Sequence, residues 1–236
     1  MQPTFLPWLG WFDLLDQADV MILLDDVGFS KQSWQQRNQI RTTNGLQYLS
    51  LPVKTSGRLG QLISDTYLDS PRYVDKMIRT IQDCYAKAPF FSKYFDPFCH
   101  SIKESSVSGK LLNLNYGLIL WLTSELGLNK SFMLASDINV GGTRGSHVAT
   151  LCKQIKASHY LSPAGAEAYL MEDYSSFETT EIEVRLQCFE HPKYRQRFKP
   201  FIPYASVLDL LMNEGQESMH IIRSGRRASR LLGEKT

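Results

Sequence analysis

The spacing of apolar side chains predicts a short helix and then a buried strand at the start of the chain. A helix over residues 8–18 places four apolar side chains on one face: Trp8, Trp11, Phe12 and Leu15. Residues 20–24 are all apolar, which is typical of a strand buried in a parallel sheet. Asp25 and Asp26 follow this strand directly, so the pattern predicts two carboxylates at a strand end.

The next segment carries a hairpin signal and then a helical stretch. Asn44-Gly45 is a two-residue turn sequence, and the alternating residues on either side of it predict an antiparallel pair. Three helices without an intervening strand are then expected over 71–88, 90–103 and 110–126, with Pro71 at the start of the first. We interpret residues 71–127 as a mainly helical insert.

Strands and helices alternate again in the second half of the chain. Strands are expected at 132–134, 160–162 and 181–189, and helices at 146–156, near 206–213 and near 216–223. The basic tail over 223–235 is expected to be a frayed end. The fold class is therefore α/β, with a mostly parallel open sheet, flanking helices and the helical insert in one domain spanning residues 1–236.

Composition narrows the class of protein. The chain has 236 residues, 43% of them hydrophobic, and a formal net charge of +2, so no charge imbalance points to nucleic acid or to a membrane surface. No apolar run reaches the length of a membrane span. The four cysteines are far apart and no histidine pair has zinc-site spacing, so we predict no metal, free thiols and a cytoplasmic location.

Polar residues at predicted strand ends are the first candidates for chemistry. Asp25-Asp26, Ser162 and His191 each follow a strand, and in an open α/β sheet such ends lie along one edge. His191 is suited to acid–base catalysis near neutral pH, and Asp25 or Asp26 is the alternative. A histidine bonded to nearby backbone and an aspartate that caps a turn remain open structural readings.

Two further stretches could bind an anionic or polar substrate. The turn over 141–145 precedes a helix, so its N–H groups, Thr143 and Arg144 could hold a phosphate, although a plain loop capped by Ser146 fits equally. Lys31, Arg37 and Asn38 follow the paired acids, and we expect them to contact an anionic or sugar group. The basic loop over 54–61 could close over an anion or serve only as a connector.

Several motifs spread over nearly the whole chain resemble the WbqC-like protein family. They are Gln2-Pro-Thr-Phe-Leu-Pro-Trp8-Leu-Gly-Trp-Phe, the strand 19–27 with its paired acids, Trp34-Gln-Gln-Arg-Asn-Gln-Ile, Asn115, Thr143-Arg144, Tyr160-Leu-Ser-Pro-Ala-Gly-Ala, His191-Pro-Lys-Tyr194-Arg-Gln and Ser206–Asn213. The resemblance implies a place in O-antigen gene clusters and transfer of a glycyl or other aminoacyl group to a sugar. It supplies no established set of catalytic residues.

One difference from the family concerns the N-terminus. The resemblance implies a short apolar strand just before the Gln-Pro motif, whereas here Met1 directly precedes Gln2. If that strand is absent, the sheet is expected to lack one member.

Together these features predict a transferase that acylates an amino group of an activated sugar in surface polysaccharide synthesis. The predicted catalytic residues are Asp25, Asp26 and His191, and the predicted substrate-binding residues are Gln2, Trp8, Lys31, Arg37, Asn38, Asn115, Thr143, Arg144, Ser162 and Tyr194. The alternatives are a nucleotidyltransferase and a non-catalytic module that binds a sugar nucleotide. The expected partner is a small molecule, and the sequence identifies no cofactor and no oligomeric state.

Overall fold

The computed structural model describes residues 1–70 and 72–234. Its helices are α1 (Leu9–Gln17), α2 (Arg72–Tyr85), α3 (Phe91–Ser106), α4 (Leu111–Glu125), α5 (Ala135–Ile138), α6 (Arg144–Gln154), α7 (Glu167–Glu172), α8 (Ser175–Glu178), α9 (Val207–Glu214) and α10 (Ser218–Ser224). Its strands are β1 (Val20–Leu23), β2 (Arg37–Thr42), β3 (Gly45–Ser50), β4 (Ser131–Leu134), β5 (His159–Pro163), β6 (Glu183–Phe189) and β7 (Arg226–Leu231).

The strands form three small sheets. β1 pairs in parallel with β4, β2 pairs antiparallel with β3, and β5, β6 and β7 form the third sheet in that order. Within the third sheet β5 and β6 are parallel, whereas β6 and β7 are antiparallel. The α/β class is therefore confirmed, and its parallel strands lie in two sheets instead of one continuous open sheet.

A cavity of about 920 Å³ lies between the two sheets that contain parallel strands. Residues of β1 and of β5 line it, together with apolar residues of α6. Met1 lies at this place: its amino group donates to the carbonyl of Ile22 at 2.8 Å, and its carbonyl accepts from the N–H of Leu24 at 2.8 Å. Met1 thus pairs with β1 on the edge opposite β4.

Two apolar clusters stabilise the fold. The larger joins α1 and β1 to α2, α3, α4 and α9, and its largest fully buried side chain is Trp11. The smaller lies between α6, β5 and β6, with Phe177 and Leu186 at its centre. The three consecutive helices α2–α4 therefore pack on the main core through the faces that their 3.6-residue periodicity predicts.

Most local predictions agree with these elements. The predicted hairpin is present, but its turn lies one residue earlier than expected: Thr42 lies opposite Gly45, so Thr43 and Asn44 form the turn and Gly45 begins β3. Pro97 neither starts nor interrupts a helix, because α3 runs through it. The residue expected to open the first helix of the insert, Pro71, lies outside the described residues.

The prediction of a frayed basic tail is wrong for its described part. Residues 226–231 form β7, which pairs with β6 from Phe189 back to Arg185. Ion pairs hold its start: the guanidinium of Arg226 donates to Asp13 at 2.7 Å and also contacts Asp16, both on α1. Arg223 adds a pair to Asp16 at 2.8 Å, so the charges of the tail are used in tertiary contacts.

Candidate functional site

Asp25 fixes the end of β1 to the start of α5. Its carboxylate accepts the N–H of Ser136 at 3.0 Å and the hydroxyl of Ser136 at 2.6 Å. Its backbone carbonyl accepts the N–H of Ser64 at 2.9 Å. Because the side chain is buried and both oxygens are occupied, these contacts favour a positioning role for Asp25.

Asp26, the next residue, faces a histidine on α6. Its carboxylate lies 3.0 Å from Nε2 of His147. The Asp26 side chain is 22% exposed, whereas the His147 side chain is 7% exposed. The pair therefore presents a carboxylate that solvent and ligands can reach, supported from the protein side by an imidazole.

The glycine-rich turn orients the His147 ring. Nδ1 of His147 lies 3.3 Å from the carbonyl of Gly141. A carbonyl oxygen therefore lies beside Nδ1 and a carboxylate beside Nε2, so the ring is oriented from both of its nitrogens. The turn needs glycine at Gly142, where φ is +110° and a Cβ would lie 2.9 Å from the backbone of His147.

The predicted phosphate site at the start of α6 is filled by side chains of the protein. The N–H of Gly145 donates to the carboxylate of Asp173 at 2.8 Å. Arg144 pairs with Glu172 at 3.0 Å on the surface, and Thr143 exchanges hydrogen bonds with Ser146. Thr143 and Arg144 therefore lie close in sequence and space to His147, and the helix N-terminus already binds an anion.

His191 lies in an aromatic cluster with Trp8. Its ring stacks on Trp8 with centroids 6.2 Å apart and meets the edge of Tyr204 at 5.1 Å. Nδ1 donates to the carbonyl of Pro192 at 2.8 Å, and Nε2 accepts the N–H of Tyr204 at 3.1 Å. Burial lowers the pKa of His191, although its backbone hydrogen bonds oppose that shift. In the neutral His191 ring the lone pair of Nε2 therefore already accepts a hydrogen bond, from the N–H of Tyr204.

Tyr194 belongs to a buried polar network around Asp209 on α9. The hydroxyls of Tyr194 and Tyr85 donate to the two oxygens of Asp209 at 2.7 Å and 2.8 Å. Nε2 of Gln196 donates to the same carboxylate at 2.9 Å. Burial raises the pKa of Asp209, and the two tyrosine hydrogen bonds oppose that effect.

Two predicted asparagines hold the N-terminal loop. Nδ2 of Asn38 donates to the carbonyls of Phe5 and Leu6, at 3.1 Å and 2.8 Å. Nδ2 of Asn115 donates to the carbonyls of Pro3 and Gln35, at 3.0 Å and 2.7 Å. Gln2 extends this contact through its side-chain oxygen, which accepts from Nε2 of Gln35 at 2.9 Å.

The remaining predicted residues lie at two different places. The guanidinium of Arg37 lies over the ring of Tyr48, 4.4 Å from its centroid, and Lys31 is exposed in the preceding loop. Ser162 is buried at the end of β5, where its hydroxyl lies 3.3 Å from the carbonyl of Pro163.

The candidate residues thus lie at five places. Asp25 and Asp26 lie with His147 and the turn before it, and Trp8 lies with His191 and Tyr194. Asn38 and Asn115 hold the loop that contains Gln2, Arg37 and Lys31 lie on or before the hairpin, and Ser162 lies at the end of β5. Among the described residues, no hydrogen bond or ion pair joins Asp26 to Arg37 or to His191. That Asp25, Asp26, Ser162 and His191 lie along one edge stays a prediction.

Sequence reasoning did not identify His147 as a functional candidate. Its partner Asp26 is 121 residues away, so no local spacing reveals the pair. The available signal was the glycine-rich turn immediately before it, which we interpreted as either a phosphate site or a plain loop capped by Ser146.

The large cavity contains none of the predicted site residues. Its one thiol, that of Cys152, is a poor nucleophile because burial raises its pKa to about 11. The partly exposed Asp26–His147 pair is therefore the stronger site for catalysis.

These features define a mixed α/β protein with a carboxylate–imidazole pair just after a parallel strand. The chain belongs to the WbqC-like protein family, whose model matches residues 2–221. It is 31% identical over 226 residues to the uncharacterized protein Rv1507c of Mycobacterium tuberculosis, covering 94% of this chain and 96% of that protein. No solved structure gives a significant match. Within the described residues, no helix has the length and apolar character needed to cross a membrane.

Proposed function

We propose that this protein transfers an acyl group, in the first instance an aminoacyl group, to the amino group of an activated sugar. The observation that carries the proposal is the Asp26–His147 pair, a reachable carboxylate held 3.0 Å from a buried imidazole. Acyl transfer to an amine needs a group that positions the amine and takes its proton, and such a pair meets that need.

Each member of the pair has a distinct role in the step. The amine nitrogen attacks the acyl carbonyl carbon, a C–N bond forms, and the proton leaves the nitrogen for Asp26. The bond from the carbonyl carbon to the leaving group then breaks, and the leaving group departs with the electron pair and receives the proton. His147 orients the carboxylate from Nε2, 3.0 Å away, and Asp25 holds the end of β1 in place.

The other predicted residues support different parts of the reaction. Arg37 and Lys31 serve the sugar, because both are cations with no carboxylate within 4.0 Å in the described part of the chain. Arg144 and Thr143 border His147 and act by positioning it. His191 and Ser162 remain proposed contributors, but their hydrogen bonds to nearby backbone make Asp26 the better base.

We place the reaction in the cytoplasm, in the synthesis of a surface polysaccharide such as an O-antigen. This setting follows from the resemblance to the WbqC-like family, to which the chain belongs. Activated sugars and activated acyl donors are both available there.

The experiment is a product search with donor and acceptor omitted in turn. Purified protein is incubated with nucleotide-activated amino sugars and a panel of acyl and aminoacyl donors, and amide products are identified by accurate mass. His147→Gln should lower the rate at least tenfold, whereas Asp137→Asn, which changes an exposed carboxylate on α5, should not. Absence of an amide product with every donor, or equal rates in wild type and His147→Gln, would overturn the proposal.

A second candidate, a non-catalytic module that binds a sugar nucleotide, is favoured by the exposed aromatic side chains beside Arg37. It predicts ligand binding without product in the same assay. The third alternative, nucleotidyl transfer, is less favoured because Asp173 already occupies the helix N-terminus that would bind a phosphate. It predicts release of pyrophosphate from a nucleoside triphosphate.

A further inference from the structure

The outer face of the β2–β3 hairpin carries an exposed group of aromatic and cationic side chains. In the pairing of the two strands Gln39 lies opposite Tyr48 and Arg37 lies opposite Ser50, so all four side chains share one face. Residues on the other face, such as Ile40 and Leu49, are buried in the main core. The outer face is therefore free for contacts that the fold does not need.

Two rings and one guanidinium form the centre of this face. The Trp34 and Tyr48 rings have centroids 6.3 Å apart and a tilt of 40°. Trp34 is 52% exposed and Tyr48 is 43% exposed. Arg37 lies against Tyr48, with Cζ 4.4 Å from the ring centroid. We call Trp34, Arg37 and Tyr48 the hairpin platform.

The charge of the platform is not neutralised within the described chain. No carboxylate lies within 4.0 Å of the Arg37 guanidinium, since the ion pairs of the described residues involve other arginines and three histidines. The ring of Tyr48 covers one side of the guanidinium and leaves its N–H groups available. A planar guanidinium in this state is suited to a carboxylate or a phosphate.

Further cations border the platform. The loop that contains Lys31 contacts the basic loop over 54–61, because the N–H of Phe29 donates to the carbonyl of Gln61 at 2.8 Å. Lys54 and Arg58 in that loop are exposed, and no carboxylate within the described ranges lies within 4.0 Å of either. This border therefore attracts anions.

We propose that the hairpin platform binds a pyranose that carries a negative charge, as a phosphate or a carboxylate. The apolar C–H face of the sugar packs on the Trp34 and Tyr48 rings, and Arg37 donates a pair of hydrogen bonds to the anionic group. Lys31 and the basic loop raise the local concentration of the anion without contacting the ring. The platform thus explains why exposed aromatic side chains surround an unpaired arginine at the start of β2.

This inference names the surface that recognises the sugar. It rests on the proposed function, in which that sugar is the acceptor. Binding to the platform does not require turnover. A protein that binds the sugar but forms no amide would retain the platform and lose only the proposed reaction.

The test is a calorimetric and fluorescence titration of the full chain with four compounds. Glucose 1-phosphate and glucuronate carry the ring and the charge together, whereas glucose carries only the ring and inorganic phosphate only the charge. We expect glucose 1-phosphate or glucuronate to bind at least tenfold more tightly than glucose and inorganic phosphate, and to change the fluorescence of Trp34. The better of the two identifies whether phosphate or carboxylate is preferred.

Variants locate the binding. Arg37→Gln, Trp34→Ala and Tyr48→Ala should each weaken binding at least fivefold with unchanged melting, because all three side chains lie on the outer face. Arg79→Gln and Tyr174→Phe, which change exposed side chains elsewhere, should bind as the wild type does. The proposal fails if neither charged sugar binds more tightly than both controls, or if Arg37→Gln and Trp34→Ala bind as tightly as the wild type.

Discussion

Removing the hydroxyl of Tyr194 is expected to destabilise the fold mainly through its short hydrogen bond to Asp209, because the bond that it accepts from Nε2 of Gln196 is long, at 3.3 Å. In Tyr194→Phe the carboxylate of Asp209 loses a donor at 2.7 Å, and both side chains are buried. A hydrogen bond to a charged group contributes about 1.5–3 kcal/mol. Asp209 keeps the hydroxyl of Tyr85 and the amide of Gln196, so we take the middle of this range, about 2 kcal/mol.

For a chain of this length, 1 kcal/mol corresponds to a shift of about 2–4 °C in Tm. Tyr194→Phe should therefore lower the Tm by about 4–8 °C. Tyr85→Phe should cost more, because the Tyr85 hydroxyl also accepts the N–H of Arg41 at 3.1 Å and that buried N–H would lose its partner. Differential scanning calorimetry with urea unfolding measures both, and Tyr174→Phe on the surface should shift by less than about 0.5 kcal/mol.

The double variant tests whether the two tyrosines act on one charge. Burial already raises the pKa of Asp209, and each lost donor raises it further. A carboxyl whose pKa is raised in the folded state lowers stability while it is ionised, and this loss disappears as the pH falls through the raised pKa. Protonation of Asp209 therefore limits the total cost of losing both donors. We expect the double variant to cost less than the sum of the singles, by at least about 0.5 kcal/mol. Strict additivity of the two single costs would refute the reasoning. So would a Tm for Tyr194→Phe within 1 °C of wild type, since such a shift corresponds to at most about 0.3–0.5 kcal/mol.

Three further outcomes follow from other contacts. The hydrogen bond from Arg223, opposed by partial burial, lowers the pKa of Asp16 to about 2, so its stabilisation is present above about pH 4 and is lost as pH falls toward 2. Asp16→Asn should therefore show a smaller fall in Tm than wild type between pH 5 and pH 2.5, and an equal fall would contradict the assignment. In Gly10→Ala the new methyl would lie 2.3 Å from the Trp8 ring, so near-ultraviolet circular dichroism should change and stability should fall by about 1–3 kcal/mol; an unchanged spectrum would exclude that contact. In Gly142→Ala the new methyl would lie 2.9 Å from the backbone of His147 and should displace it. We expect the rate of amide formation to fall well below that of the wild type while the Tm, measured on the same sample, changes little.

The sequence predicted those elements whose signals are local. The helix α1 and the strand β1 have apolar residues at the spacing of 3.6 and in a continuous run, and both form where expected. The hairpin β2–β3 also forms where the Asn44-Gly45 sequence predicts one, although the turn residues are Thr43 and Asn44. Gly45 begins β3 with a φ of +111°, which few other residues tolerate. Their boundaries differ from the predictions by one or two residues at most helix and strand ends.

The strand β7 could not be predicted, because its sequence Arg226–Leu231 lacks the alternation of apolar and polar residues. Its stability depends on pairing with β6 and on ion pairs to Asp13 and Asp16, more than 200 residues earlier. A basic segment near the end of a chain reads as solvated unless those distant carboxylates are known. Tertiary charge pairing therefore overrode the local signal.

The candidate site shows the same division. Paired acids after a buried strand could be located from the sequence, but their different environments could not. Both oxygens of Asp25 accept hydrogen bonds from Ser136, whereas Asp26 is partly exposed and lies beside His147. Both partners lie more than 100 residues away in the sequence. The partner of Asp25 lies on α5 and that of Asp26 on α6, so the two identical side chains acquire different roles.

The most direct test of the account compares the two adjacent aspartates. Asp26→Asn and Asp25→Asn are each measured for the rate of amide formation in a single turnover and for Tm. We predict that Asp26→Asn lowers the rate at least a hundredfold with Tm within about 2 °C of wild type. Asp25→Asn should mainly lower Tm, because an amide NH2 replaces one of the two oxygens that accept from Ser136. Full activity in Asp26→Asn would contradict the assignment of this carboxylate as the catalytic base.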